Sequence, residues 1–70
     1  MDRKEFEFLL SERDAHIEKL IQAKKTFARL KALRARTQQQ ERELSTAQKI
    51  VEEEPVVIAM LDERLAAAAR

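Results

Sequence analysis

The stretch Arg36-Thr37-Gln38-Gln39-Gln40-Glu41 decides how this chain folds, because everything on either side of it reads as helix. Thr37 to Gln40 is the only run within the first 54 residues that has neither charge nor an apolar side chain. It holds none of the Gly, Asn or Pro that usually mark a connection. The case for a reversal therefore rests on phase. On a straight helix Leu44, Ala47, Ile50 and Val51 would fall on the side away from the apolar residues that precede the run, whereas a turn at 37–40 lets both stripes face one seam.

Upstream, the apolar residues recur at helical spacing through Phe6, Leu9, Leu10, Ile17, Leu20, Ile21, Phe27, Ala28 and Leu30, with Ala23 beside them. Residues 1–18 carry net −3 and residues 19–36 carry net +7. An acidic start and a basic end match the helix dipole, so one helix is expected over about 2–36. Ser11 with Asp14 resembles a capping box that would start a helix at residue 11. Phe6 and Leu9 lie on the same stripe as Leu20 and Phe27, which favours continuity.

Downstream, a second helix is expected over about 41–69, with Leu44, Ala47, Ile50, Val51, Val57, Ile58, Leu61 and Leu65 turned inwards. Pro55 lies inside it and is expected to kink or split it near 54–55, since proline removes a backbone donor and clashes with the preceding turn. The fold class is thus all-α, an antiparallel helical hairpin. Pairing about residue 38 or 39 sets side by side residues whose numbers sum to about 77: Leu33 near Leu44, Phe27 near Ile50, Leu20 near Val57, Ile17 near Met60. It also lays the basic block along residues 41–54, which carry net −3. The expected seam is Phe6, Leu9, Ile17, Leu20, Phe27, Leu30, Leu44, Ile50 and Val51.

An alternative layout keeps one helix to about residue 53 and returns a short C-terminal helix. It uses a three-and-four frame of Leu9, His16, Ala23, Leu30, Thr37, Leu44 and Val51 with Phe6, Leu20 and Phe27. That frame places Arg13, Arg34, Glu41 and Gln48 at seam positions as well.

Composition narrows the function. A chain of 70 residues buries a small fraction of its surface and usually needs a staple. It has no Cys and one His, so disulfides, thiolate sites and a zinc centre are not expected. Oligomerisation or a protein partner remains. The longest apolar run, Val56 to Leu61, is far shorter than the roughly 20 residues of a membrane span. The charged first residues lead into no export signal, so the cytosol is the expected compartment.

No chemistry-bearing constellation stands out. His16 lies four residues after Glu12, an arrangement more typical of a core flank than of a ligand set. The serines and threonines have no base beside them in sequence, and without glycine there is no phosphate-cradling loop. Glu52, Glu53 and Glu54 are consecutive on a helix and point in different directions, so they do not share one cation. Enzymatic activity, a cofactor and a small-molecule substrate are therefore not expected.

Two surfaces remain. Val56, Val57, Ile58, Met60, Leu61 and Leu65 belong to an apolar segment that wraps all sides of a helix, while a two-helix hairpin covers one side. They are the expected interface for a second copy or a protein partner, as in a self-associating module or a small adaptor or co-chaperone that covers a partner's apolar surface. The alternative is RNA or DNA binding by Lys24, Lys25, Arg29 and Lys31 of the basic block.

Overall fold

The computed structural model describes residues 2–69 and consists of two helices, α1 (Arg3–Lys31) and α2 (Gln38–Ala68), packed antiparallel as a hairpin 51 Å long and 16 by 14 Å across. Among the described residues there is no strand. The all-α hairpin read from the sequence is the observed fold, and α1 is continuous through Ser11.

The reversal falls earlier than expected, over residues 32–37. Thr37 is the N-cap of α2: its hydroxyl accepts from the Gln40 backbone N–H at 3.1 Å, and the Gln40 side chain accepts from the Thr37 N–H at 2.9 Å. This reciprocal capping box satisfies two of the donors that every helix start leaves unpaired. Residues 38–40 are helix, and the uncharged polar run is the cap and first turn of α2. At the other side of the connection Arg36 reaches back. Its Nη1 donates to the Leu30 and Leu33 carbonyls at 3.2 and 3.4 Å, and its Nε donates to Glu41 at 2.7 Å. Capped from both sides, the connection has no residue with positive φ. It needs no glycine.

On each helix a line of buried and half-buried positions steps by alternating threes and fours: Phe6, Leu9, Arg13, His16, Leu20, Ala23, Phe27 and Leu30 on α1, and Gln40, Leu44, Ala47, Val51, Glu54, Ile58, Leu61, Leu65 and Ala68 on α2, with Glu12, Ile17, Thr26, Ile50 and Val57 half-buried beside it. This is the knobs-into-holes period of a two-stranded coiled coil. On α1 the frame that the sequence offers to the single long helix is the hairpin's own seam; on α2 the two share only Leu44 and Val51, and Arg34, Thr37, Glu41 and Gln48 of that frame are exposed. All nine expected seam residues are buried or half-buried, with Ile17 and Ile50 on its flanks. Leu10, Ile21 and Ala28, read as part of the inward stripe, are exposed.

The register differs from the expected one by a single heptad. His16 meets Glu54, numbers that sum to 70, where the sequence reading gives about 77. From that layer the same steps set Leu20 level with Val51, Ala23 with Ala47, Phe27 with Leu44 and Leu9 with Leu61. A slip of seven residues keeps every apolar stripe facing inwards, so hydrophobic pattern alone does not separate the two registers. Polar chemistry does. In the slipped register His16 would lie level with Leu61 and Glu54 level with Ala23, leaving a buried carboxylate without a partner at a cost of several kcal/mol.

Of the two outcomes expected at 54–55, a kink or a split, the split does not occur, and α2 runs through Pro55 as one helix. An interior proline costs about 3 kcal/mol, and the residue before it is disfavoured in the α region. Here that residue is Glu54, tied to α1 by two side-chain bonds, and Val51 and Ile58 continue the seam on either side. Interhelical packing offsets the local penalty.

Candidate interaction surface

Among the described residues four apolar side chains are buried, Ala23, Leu30, Leu44 and Ala47, and Leu30 is the most completely covered. All lie between the connection and the middle of the rod. At the middle the seam turns polar. Glu54, 6% exposed, accepts from His16 Nδ1 at 2.5 Å and from Lys19 Nζ at 3.2 Å, while His16 Nε2 lies 3.7 Å from Glu12. Burial pushes the Glu54 carboxyl upwards, but its hydrogen bonds to His16 and Lys19 and the positive charge of both outweigh this and hold it below the usual carboxylate range. Every buried side-chain polar atom among the described residues has a partner. Beyond this layer Arg13 bonds Asp62 across the seam.

The half beyond the polar layer, where the two chain ends lie, leaves apolar groups uncovered. Phe8 is 62% exposed, Val56 61% and Met60 53%. Phe8 and Leu9 border a depression with Lys4, Glu5 and Arg64. Of the expected partner-facing residues, Val56 and Met60 are exposed. Ile58, Leu61 and Leu65 occupy seam positions and are half-buried by α1, and Val57 flanks them. The sequence reading gave Phe8 no role. Its signal was its phase: Phe8, Ala15, Gln22 and Arg29 are seven residues apart and lie on an outer line of α1, away from the seam columns.

A groove of about 560 Å³ opens on the same side of the rod, nearer the connection. Buried Ala23 and Ala47 floor it, Thr26, Thr46 and Ile50 wall it, and Lys19, Arg29, Arg42 and Glu43 stand at its rim. Small residues facing each other across the seam leave this indentation.

Charge is divided between the two ends. Residues 18–53, the connection end, carry nine bases and five acids, net +4; residues 2–17 and 54–69 carry four bases and eight acids, net −4. The sequence reading laid the basic block along acids that would neutralise it. Within that block only Lys19 and Arg36 form ion pairs among the described residues. Lys24, Lys25, Arg29 and Lys31 are exposed but do not share one face. Lys24 and Lys31 lie on one flank, Lys25 points outwards and Arg29 borders the groove on the other flank. Lys31 caps the Phe27 ring at 5.8 Å.

Among the described residues no three His, Cys, Asp or Glu side chains are grouped to hold a metal ion, and no helix is long and apolar enough to cross a membrane. Comparison of the chain with protein-family models, with curated proteins and with solved structures finds no match.

Proposed function

We propose that this chain is a non-enzymatic helical interaction module that docks through the chain-end half of its hairpin. One observation carries the reading: Phe8, Val56 and Met60 each keep half or more of their surface exposed. Burying a large apolar side chain is worth about 1.5–3 kcal/mol, so three of them on one half of a small rod are a strong drive towards association. A partner surface that accepts them supplies the burial that two helices cannot.

The test uses the full chain as bait in lysate of its source cell, beside a Phe8→Asp/Met60→Asp variant whose helix content is matched by circular dichroism. Proteins enriched by the wild type, the chain itself included, and lost from the variant are the expected result. Identical capture by both baits would overturn the reading.

A second reading, binding of RNA or DNA, is favoured by the +4 connection end and by the unpaired Lys24, Lys25, Arg29 and Lys31. It predicts binding of labelled nucleic acid that falls steeply with salt and with neutralisation of Lys24, Lys25 and Arg29.

A further inference from the structure

The interaction surface just described has its own complement on the same molecule, and we infer that the partner is a second copy of this chain, stacked on the first in reversed direction. The inference rests on the proposed function and gives its docking surface an occupant. Three features of the rod point the same way.

The first is charge. With ends of net −4 and net +4, two rods laid side by side in the same direction set like charges together, while reversal sets each end against its opposite. The second is shape. Phe8 stands out from the line Phe8, Ala15, Gln22, Arg29, and Gln22 and Arg29 of that line border the groove floored by Ala23 and Ala47. Knob and hole therefore share one side of the hairpin. The third is spacing. Phe8 precedes His16 by eight residues and Ala23 follows it by seven, which places both about 11–12 Å from the level of His16 at 1.5 Å per residue.

A two-fold axis crossing the rod at that level carries Phe8 of each copy to the Gln22 and Arg29 border of the other's groove. Each Phe8 meets one groove edge, as a closed isologous dimer requires. The same operation runs α1 antiparallel to α1 of the second copy and brings Ala15 against its own equivalent. Glu12 comes level with Lys19 of the second copy, and Glu5 comes close to its Arg29. The product is a four-helix bundle whose second pair of helices covers the side that the hairpin leaves open.

The chain lacks cysteine, so a single introduced one reports orientation. The full-length Ala15→Cys and Ala35→Cys variants, both at exposed positions, are oxidised mildly and run without reductant. Reversed stacking links Ala15→Cys into a dimer and leaves Ala35→Cys, at the connection, unlinked. Sedimentation equilibrium should find a wild-type dimer that loosens as salt rises. Phe8→Ala should weaken it at least about tenfold while helix content holds.

Preferential linking through Ala35→Cys, or a folded monomer at high micromolar concentration in low salt, overturns the inference. If such a monomer still captures proteins through Phe8 and Met60, the reversed pair fails and the interaction module stands. Loss of that capture in a chain that forms the reversed dimer supports both.

Discussion

The two ends of this rod are built on one heptad pattern and do opposite things with it. At the connection end layers of small and large residues alternate along the seam, four apolar side chains are buried, and both helix ends are capped by Thr37, Gln40 and Arg36. At the chain-end half Phe6, Leu9, Leu61 and Leu65 stay half-buried, and Phe8, Val56 and Met60 lie open. Between them is the layer of His16, Lys19 and Glu54. The difference teaches that a seam period specifies which residues meet, while neighbouring volume and capping decide how completely they are covered. The connection end supplies stability and the other end supplies spare surface.

The comparison can be broken most directly by emptying one seam site in each half. Leu30 is 1% exposed, so Leu30→Ala should cost about 3–4 kcal/mol in chemical denaturation, whereas Leu9→Ala, at a half-buried site, should cost roughly half as much. Equal losses would contradict the division. Next in size is His16→Ala, which leaves the Glu54 carboxylate buried with Lys19 alone and should cost about 2–3 kcal/mol.

Replacing both partners, His16→Leu with Glu54→Leu, should restore most of that stability and remove the device that rejects the heptad slip. Two sets of amide signals in the double variant, against one in the wild type, would show that the polar pair fixes register. A single native set would show that the apolar pattern suffices.

The same layer sets a pH dependence. The Glu54 carboxyl is held lower in the folded chain than in the unfolded chain, so its contribution is fully present above the ordinary carboxylate value of 4.5 and is lost as pH falls through its folded value. Unfolding free energy should fall on acidification below about pH 4.5, with at most about 1.4 kcal/mol per pH unit from this one proton. Glu54→Gln should flatten that part of the profile; an unchanged slope would assign it to other carboxylates. Smaller still is Thr37→Ala, which removes the capping box for about 1 kcal/mol by thermal melting. Smallest is Phe8→Ser, which should move stability of the isolated chain by no more than about 0.5 kcal/mol.

Much of this was legible in the sequence. The Leu, Ala and Phe spacing yields two helices and a seam, and the phase shift after Arg36 demands a reversal. What pattern could not supply was position along the seam, because a heptad repeat is unchanged by a slip of seven. His16 and Glu54 break that degeneracy only when read as partners 38 residues apart. Thr37-Gln38-Gln39-Gln40 looked like a loop because it lacks apolar residues, yet Thr followed three residues later by Gln is a helix-start signature. Pro55 looked like a kink or a split because local propensity argues so, and packing against α1 holds α2 together as one helix through it. At the surface, Val56 and Met60 could be found from an apolar run too wide for one seam. Phe8 was hidden by its neighbours Phe6 and Leu9, which do face inwards.

The hairpin is closely packed on the connection side of the His16–Glu54 layer and loosely covered on the other. Amide hydrogen exchange measured residue by residue at low micromolar concentration tests this division most directly. The slowest exchange is expected over residues 20–30 and 42–51, with protection stepping down across the polar layer to residues 6–12 and 58–65. Uniform protection along both helices, or stronger protection at the chain-end half, would contradict it.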